Sequence, residues 1–388
     1  MILTIILEQL PLIVIIFLFL CLLTALSNYW LIPSFDEYPP PATYPRVSIL
    51  VPARNEADGI EACLRSLLDQ DYADFEVIVL DDGSTDETGT LLLKLARQNS
   101  QLNVLEGKLL PLGWLGKHWA CYQLAQAASG DLLLFTDADT LHQPNMLRDS
   151  VAALIAERAD LLTAFPHEQA VTWGEKLVVP VISWGILSFL PVRLASRLSM
   201  PGLSVTIGQF MLFNRSAFEA VGGYASVREH LVDDVALGRR IIAHGYRWTL
   251  LDGTGHVSCR MYRGFWEAVD GFSKNVFAFF EYRILFYLAA WLWIAIAFLE
   301  PPYALFSWYL GKPLAYFPPN LAAIATLQSL LLWRIAYRRF RLPAYLVLLY
   351  PLSLSLFILI GLRSLVLTLT GRATWKGRQL DRPAIRWL

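Results

Sequence analysis

The chain has 388 residues, 55% of them hydrophobic and 17% charged, with a formal net charge of −1. A charged share this far below the usual quarter goes with segments that face lipid rather than water. A charge balance near zero gives no basic field and excludes nucleic-acid binding as the organising function.

Residues 2–26 are almost wholly apolar, long enough to cross a hydrocarbon core of about 30 Å. Glu8, the lack of Lys or Arg at the start and the lack of a small-residue cleavage site argue against a secretory signal. A retained anchor over 1–27 is therefore expected, followed by a Pro-rich linker over 28–45. Four short apolar runs come next: Val47–Val51, Phe75–Leu80, Leu102–Leu105 and Leu132–Phe135. They alternate with helical stretches over 58–70, 86–98, 117–128 and 144–156. Near-continuous apolar strands in βαβα order, from 46 to about 257, predict an α/β domain with a Rossmann-like, mostly parallel sheet covered by helices on both faces. Residues 176–198 are apolar and end in Arg193 and Arg197, which fits either a helix lying on a membrane or a buried core helix.

Beyond 275 the chain changes character. Leu285–Phe298, Leu321–Trp333 and Leu342–Leu369 read as three spans, or as two spans and a re-entrant hairpin, within a membrane region over 276–371. Arg334, Arg338, Arg339 and Arg341 lie between the last two, and a basic tail over 372–388 carries Arg372, Lys376, Arg378, Arg382 and Arg386. Loop positive charge places both groups in the cytosol. One full span between them conflicts with that, whereas entry and exit of 342–369 on one side, aided by Pro351, satisfies it. Glu8 and Arg363 are too few intramembrane charges for a transporter. Cys21, Cys63, Cys121 and Cys259 show no CxxC or zinc spacing and read as reduced, buried thiols.

Chemistry-bearing residues cluster at the ends of the predicted strands, where open α/β sheets bind ligands. The first strand runs into Pro52-Ala53-Arg54-Asn55-Glu56 and the second into Asp81-Asp82-Gly83-Ser84-Thr85-Asp86. The Asp81–Asp82 carboxylates suit base N–H and ribose hydroxyl donors, while Asp86 equally suits a helix cap. After the fourth strand, Asp137 and Asp139 stand one residue apart, a pattern for a divalent cation that also bridges a diphosphate. A second such pair, Asp69 and Asp71, follows no strand and reads as surface charge. Lys117 opens a helix, where a cation is disfavoured by the dipole unless an anion lies beside it. His118 reads as a hydrogen-bonded spectator. Asp233 and Asp234 open a later helix; capping accounts for Asp233, and Asp234 is a general-base candidate. Arg260, Arg263 and Lys274 precede the spans, as diphosphate ligands or as headgroup-level cations.

Taken together, the VPARNE strand end, the LDDGSTDET loop, the FTDAD motif and the VDDVALGRR acid pair resemble family 2 glycosyltransferases of the GT-A fold, over about residues 46–275. The GWLGKHWAC and RMYRGFWEAVDGFSKN segments and Trp375-Lys376-Gly377-Arg378 resemble the membrane branch that includes carotenoid glycosyltransferases of the diaponeurosporenoate type and hopanoid-associated ones. The resemblance implies inverting transfer of a hexose from a UDP- or GDP-sugar to a membrane lipid such as a carotenoid. It implies an integral membrane protein with its catalytic domain in the cytosol. Nucleotide-sugar binding would fall to Pro52, Ala53, Arg54, Glu56, Asp81, Asp82, Lys117, Asp137 and Arg260. Asp137 and Asp139 would hold Mg2+ or Mn2+, and Asp234 would be the base. Asp233, where the family more often has Glu, would sit with Tyr262 and Arg263 on the acceptor or product-release side. Processive synthases carry Gln-x-x-Arg-Trp after the base; Cys259-Arg260-Met261-Tyr262 stands here instead, which argues against a polysaccharide product. A polyprenyl-phosphate or polysaccharide glycosyltransferase of the same family is the alternative reading.

Overall fold

The computed structural model describes residues 2–198, 200–375, 378–379 and 383–387. The expected Trp375–Arg378 motif and basic tail fall partly outside them, at Lys376, Gly377 and Arg382. The chain opens with α1 (Ile2–Leu31), then β1 (Val47–Ala53), α2 (Ile60–Leu68), β2 (Phe75–Asp81), α3 (Thr88–Gln98) and β3 (Leu102–Glu106). It continues with α4 (Gly116–Ala127), β4 (Leu132–Phe135), β5 (Thr140–His142), α5 (Met146–Glu157), β6 (Leu161–Phe165) and β7 (His167–Glu168). Three short helices follow, α6 (Trp173–Val178), α7 (Pro180–Phe189) and α8 (Val192–Arg197). Then come β8 (Met211–Asn214), α9 (Arg215–Ala220), α10 (Asp233–Ala243), β9 (Trp248–Asp252) and β10 (Val257–Cys259). Five helices come next, α11 (Phe265–Phe279), α12 (Ile284–Phe298), α13 (Glu300–Tyr309), α14 (Pro319–Arg339) and α15 (Tyr350–Thr370), before a two-stranded pair, Thr374–Trp375 and Arg378–Gln379.

Contacts divide the chain into two units. One joins residues 32–169 and 192–261; the other joins 1–31, 170–191 and 262–388. In the first, a seven-stranded sheet runs in the order β3-β2-β1-β4-β8-β6-β9. Only β8 is antiparallel to its neighbours β4 and β6; the remaining pairs are parallel. Val47, Ile49, Leu50 and Val51 of β1 are all without solvent exposure, as a parallel strand covered on both faces requires. A smaller sheet, β5-β10-β7, sets Cys259 opposite Thr140 on one side and Glu168 on the other. The Pro-rich stretch is no loose tether. Phe35 is fully buried against Phe210 and His256, and Pro33 accepts a hydrogen bond from the Asp252 amide.

Among the described residues of the second unit, three helical segments are long and apolar enough to cross a membrane: Glu8–Leu31, Ile284–Tyr309 and Ala344–Thr370. The expected middle span lies in α14, which is 21 residues long but carries Gln328, Arg334, Arg338 and Arg339 and does not join that class. It packs along α1, with Arg339 donating to the Tyr29 carbonyl at 3.0 Å. The apolar stretch after 176 is not one helix: Pro180 and Pro191 punctuate it into short pieces. Asn28 of α1 caps the end of α7, donating to the carbonyls of Leu187 and Leu190.

Candidate active site

The loops after β1 and β2 are zipped together by side-chain bonds to backbone. Asn55 donates its amide to Ser84 and accepts from the Thr85 amide. The Glu56 amide donates to Thr88 Oγ1, and the Ala57 amide to Asp86. Asp86 also accepts from the Thr88 amide at 3.0 Å, so capping describes its contacts. The register sets Ala53 opposite Asp81, and the Ala53 carbonyl accepts from the Asp82 amide at 2.9 Å. Asp81 accepts from the Ser84 amide, leaving its second oxygen for other donors. Arg54 reaches back to the Asp82 carbonyl, with its guanidinium 3.7 Å from the Asp82 carboxylate. Pro52, Ala53, Arg54, Glu56, Asp81 and Asp82 thus form one wall at the strand ends.

Lys117, in the first turn of α4, places Nζ 2.6 Å from Asp137 Oδ1. The anion demanded by a lysine at a helix start is therefore a carboxylate of this chain. The pair stays partly open, with side-chain exposures of 27% and 28%. Burial opposes the charge on Lys117, but Asp137 and then Asp233 outweigh it and hold the ammonium protonated. Burial also opposes ionisation of Asp233, yet Lys117 and then His118 bring its carboxyl below the usual range. One cation therefore links the acid after β4 to the acids opening α10. His118 is buried and bonded through Nε2 to the His230 carbonyl.

Asp139 differs from Asp137. Burial pushes its carboxyl up to about 7, and the charges of Asp137 and Glu56 act in the same direction. Its Oδ1 is out of solvent contact and lacks a hydrogen-bond partner among the described residues. A buried, partnerless carboxylate oxygen beside a second carboxylate fits a hard cation, which would relieve both desolvation and repulsion. No group of three or more His, Cys, Asp or Glu with metal-holding geometry occurs among the described residues. Such a cation would therefore take its other ligands from substrate phosphates or water, as Mg2+ usually does.

Asp234 is half-buried at the start of α10. It accepts from the Gly208 amide at 3.0 Å and from the Val235 amide at 2.7 Å. Burial, then Asp233, pushes its carboxyl up to about 7, the range in which a carboxylate is basic enough to take a proton at neutral pH. Arg260 leaves β10 immediately after Cys259, the residue in register with Thr140 and Glu168. Tyr262 and Arg263 belong to the other unit. There Tyr262 stacks edge-on to Phe272, and the Arg263 amide donates to Glu267 in the first turn of α11.

The segment 207–209, absent from the sequence-based candidates, is a hub. Ile207 exchanges hydrogen bonds with Thr163 Oγ1, the Gly208 amide holds Asp234, and the Gln209 carbonyl accepts from Thr136 Oγ1. The Gln209 side chain reaches Glu168 at 3.4 Å. Burial, then Asp139 and Asp137, raises Glu168 to about 8. Its strand is two residues long, too short for any periodic signal.

The scan against family models matches residues 48–222 to "Glycosyl transferase family 2", the stretch that spans the β1 and β2 loops and Asp137. Residues 48–222 form a family 2 glycosyl transferase domain. Among curated proteins, this domain's chain is 26% identical over 247 residues to a 4,4'-diaponeurosporenoate glycosyltransferase of Staphylococcus haemolyticus strain JCSC1435. That match covers 63% of this chain and 64% of the relative. The Staphylococcus aureus strain MRSA252 protein of the same name is 28% identical over 255 residues, covering 59% and 60%. The match spans less than two thirds of these relatives' length. Among solved structures, a mannosyltransferase of Pyrobaculum calidifontis, in complex with GDP-Man and Mn2+, aligns over 94% of this chain and 99% of its own. Its TM-score is 0.53 at 20% identity, a likeness of fold. The sheet of the glycosyl transferase domain is accordingly of the GT-A type read from the sequence.

Proposed function

We propose that this glycosyltransferase moves a hexose, with inversion, from a UDP- or GDP-sugar to a membrane lipid acceptor of isoprenoid type, such as a carotenoid. The observation that carries the reading is the Lys117 bridge, which draws the Asp137–Asp139 motif and the Asp233–Asp234 pair into one electrostatic cluster. The names of the curated relatives support the acceptor class. The mannosyltransferase bound to GDP-Man and Mn2+ supports the donor class and a metal.

In this reading Asp81 and Asp82 accept from base and ribose donors, and Pro52, Ala53, Arg54 and Glu56 shape the same wall. Asp234 takes the proton of the acceptor hydroxyl, and the freed oxygen attacks the anomeric carbon. The bond from that carbon to the diphosphate breaks, and the diphosphate leaves with the electron pair. Lys117 and Arg260 place fixed positive charge where negative charge develops. A Mg2+ or Mn2+ ion held by Asp137 and Asp139 would supply further neutralisation of the leaving group. Asp233 keeps Lys117 charged and helps raise Asp234, while Tyr262 and Arg263 serve the acceptor or product-release side. The domain faces the cytosol, where nucleotide-sugars are made.

The test is incubation of the purified chain in lipid with a panel of labelled UDP- and GDP-hexoses and total isoprenoid lipid, followed by mass analysis. The reading expects one hexose per acceptor, lost by a factor of about 10²–10⁴ in Asp234→Asn with nucleotide-sugar binding kept. A ladder of products would replace it with polymer synthesis, and full turnover in Asp234→Asn would remove Asp234 from the role.

A further inference from the structure

We infer that residues 107–114 of the glycosyl transferase domain form a bilayer-contacting loop that seats Leu109 and Leu112 in the hydrocarbon edge of the membrane. Leu109 is 94% exposed and Leu112 102%, and Leu110 between them adds 36%. Leucines this bare on a water-facing loop forgo the whole hydrophobic contribution of their side chains.

The exposure does not come from a slack loop, because the leucines are held out by tethers on both sides. The Gly107 amide donates to the Asp81 carbonyl at 2.9 Å. A Cβ at Gly107 would stand 2.9 Å from that oxygen, so the close approach needs glycine. The Lys108 amide donates to Gln123 Oε1, and the Lys108 carbonyl accepts from Trp119 Nε1. Past the leucines, the Leu115 amide donates to the Arg228 carbonyl. Two aliphatic tips are thus presented on a fixed platform.

What surrounds them identifies the partner. Trp114, Trp119 and Tyr122 form an aromatic collar with ring centroids 5.1–5.4 Å apart. Lys108 and Arg228 are exposed at its edge, with Glu229 3.5 Å from Arg228. Exposed aliphatic side chains, Trp and Tyr rings and cations are the residue types suited to a bilayer's hydrocarbon, interface and anionic headgroups. The described residues include three segments long and apolar enough to cross a membrane, so a bilayer is at hand. The loop runs directly into the α4 turn that holds Lys117, which fixes that residue's depth against the lipid surface. The inference rests on the membrane reading of the chain and not on the reaction assigned to it.

The test uses the full chain in phosphatidylcholine–phosphatidylglycerol nanodiscs. All four native cysteines are buried, so Leu112→Cys, Leu109→Cys and a control, Leu93→Cys on α3 (58% exposed), take a nitrobenzoxadiazole label selectively. The expected result is blue-shifted emission at 112 and 109, with quenching by acyl-chain-brominated phosphatidylcholine several times that at 93. Emission and quenching at 112 and 109 equal to those at 93 would overturn the inference. So would a blue shift without bromine quenching, which would mean that protein covers the loop.

Discussion

Asp234 shows how a single carboxyl acquires a role from its surroundings. Two backbone amides donate hydrogen bonds to it, which favours the charged form, while burial and Asp233 favour the neutral one and prevail. Its folded value near 7 lies above the ordinary carboxylate range, so the base is half-charged at neutral pH and fully protonated in mild acid. Transfer is therefore expected to rise with pH through about 7 and, below it, to fall about tenfold per unit, the slope of one proton. The kcat profile of the chain in nanodiscs between pH 5 and 9 checks this; a flat profile would assign proton removal elsewhere. Asp139 makes a second claim at this scale. Its buried, partnerless oxygen beside Asp137 predicts that chelation stops transfer, that Mn2+ or Mg2+ restores it, and that Asp139→Asn loses that rescue. Turnover unchanged by chelators would instead leave Lys117 and Arg260 as the whole counter-charge. Lys117, a misfit at a helix start when read locally, fits once Asp137 is seen 2.6 Å away.

At the scale of elements, the position of Asp234 depends on how closely α10 lies against Thr206, in the segment that leads into 207–209. Gly238, one turn after Asp234, makes that approach possible: a Cβ there would stand 2.7 Å from Thr206 Cγ2. Gly238→Ala should gain helix propensity yet lose about 1–3 kcal/mol from overpacking. It should also shift the Asp234–Gly208 bond, lowering kcat more than donor KM. Thermal unfolding and steady-state kinetics of the variant in detergent check both; an unchanged kcat would show that α10 has slack. Apolar runs made the main strands legible. Val47–Val51 and Phe75–Leu80 end within two residues of the observed strands, and Leu132–Phe135 matches β4, because strands buried on both faces need apolar residues throughout. The strands β5, β7 and β10 were not legible, since two or three residues carry no period. The antiparallel β8 is likewise placed by pairing with strands far from it in sequence.

At the scale of the molecule, the two units interleave along the sequence: the chain enters the apolar-helix unit at 170 and again at 262. The expected domain, an unbroken 46–275, follows the span of the family resemblance, whereas the units reflect contacts. Within the helical unit the chain's end returns to the start of α12. The amides of Ile284 and Leu285 donate to the carbonyls of Arg386 and Trp387, and the Arg386 amide donates to Tyr282. Upstream, α15 is tied to α11 through Arg363–Asp270 at 2.6 Å and through the Phe277 amide to Ser364. Glu281→Cys and Trp387→Cys are therefore expected to react with an impermeant maleimide from the same side of sealed vesicles. Gly311→Cys, past Tyr309, should react from the opposite side. Labelling of 281 and 387 from opposite sides would contradict the pairing, and labelling of 311 with 281 would deny that Ile284–Tyr309 crosses.

The sequence by itself determined the α/β class, the strand-end placement of the acids, the apolar terminal segments and the resemblance to family 2. Each of these is written in local composition or periodicity, which burial enforces residue by residue. Tertiary structure alone decided that Lys117 answers Asp137, that Gly208 holds Asp234 across 26 residues, and that Glu168 lies within the field of Asp137 and Asp139. Those relations depend on strand order and on long loops closing, and such contacts leave no pattern in the residues that make them.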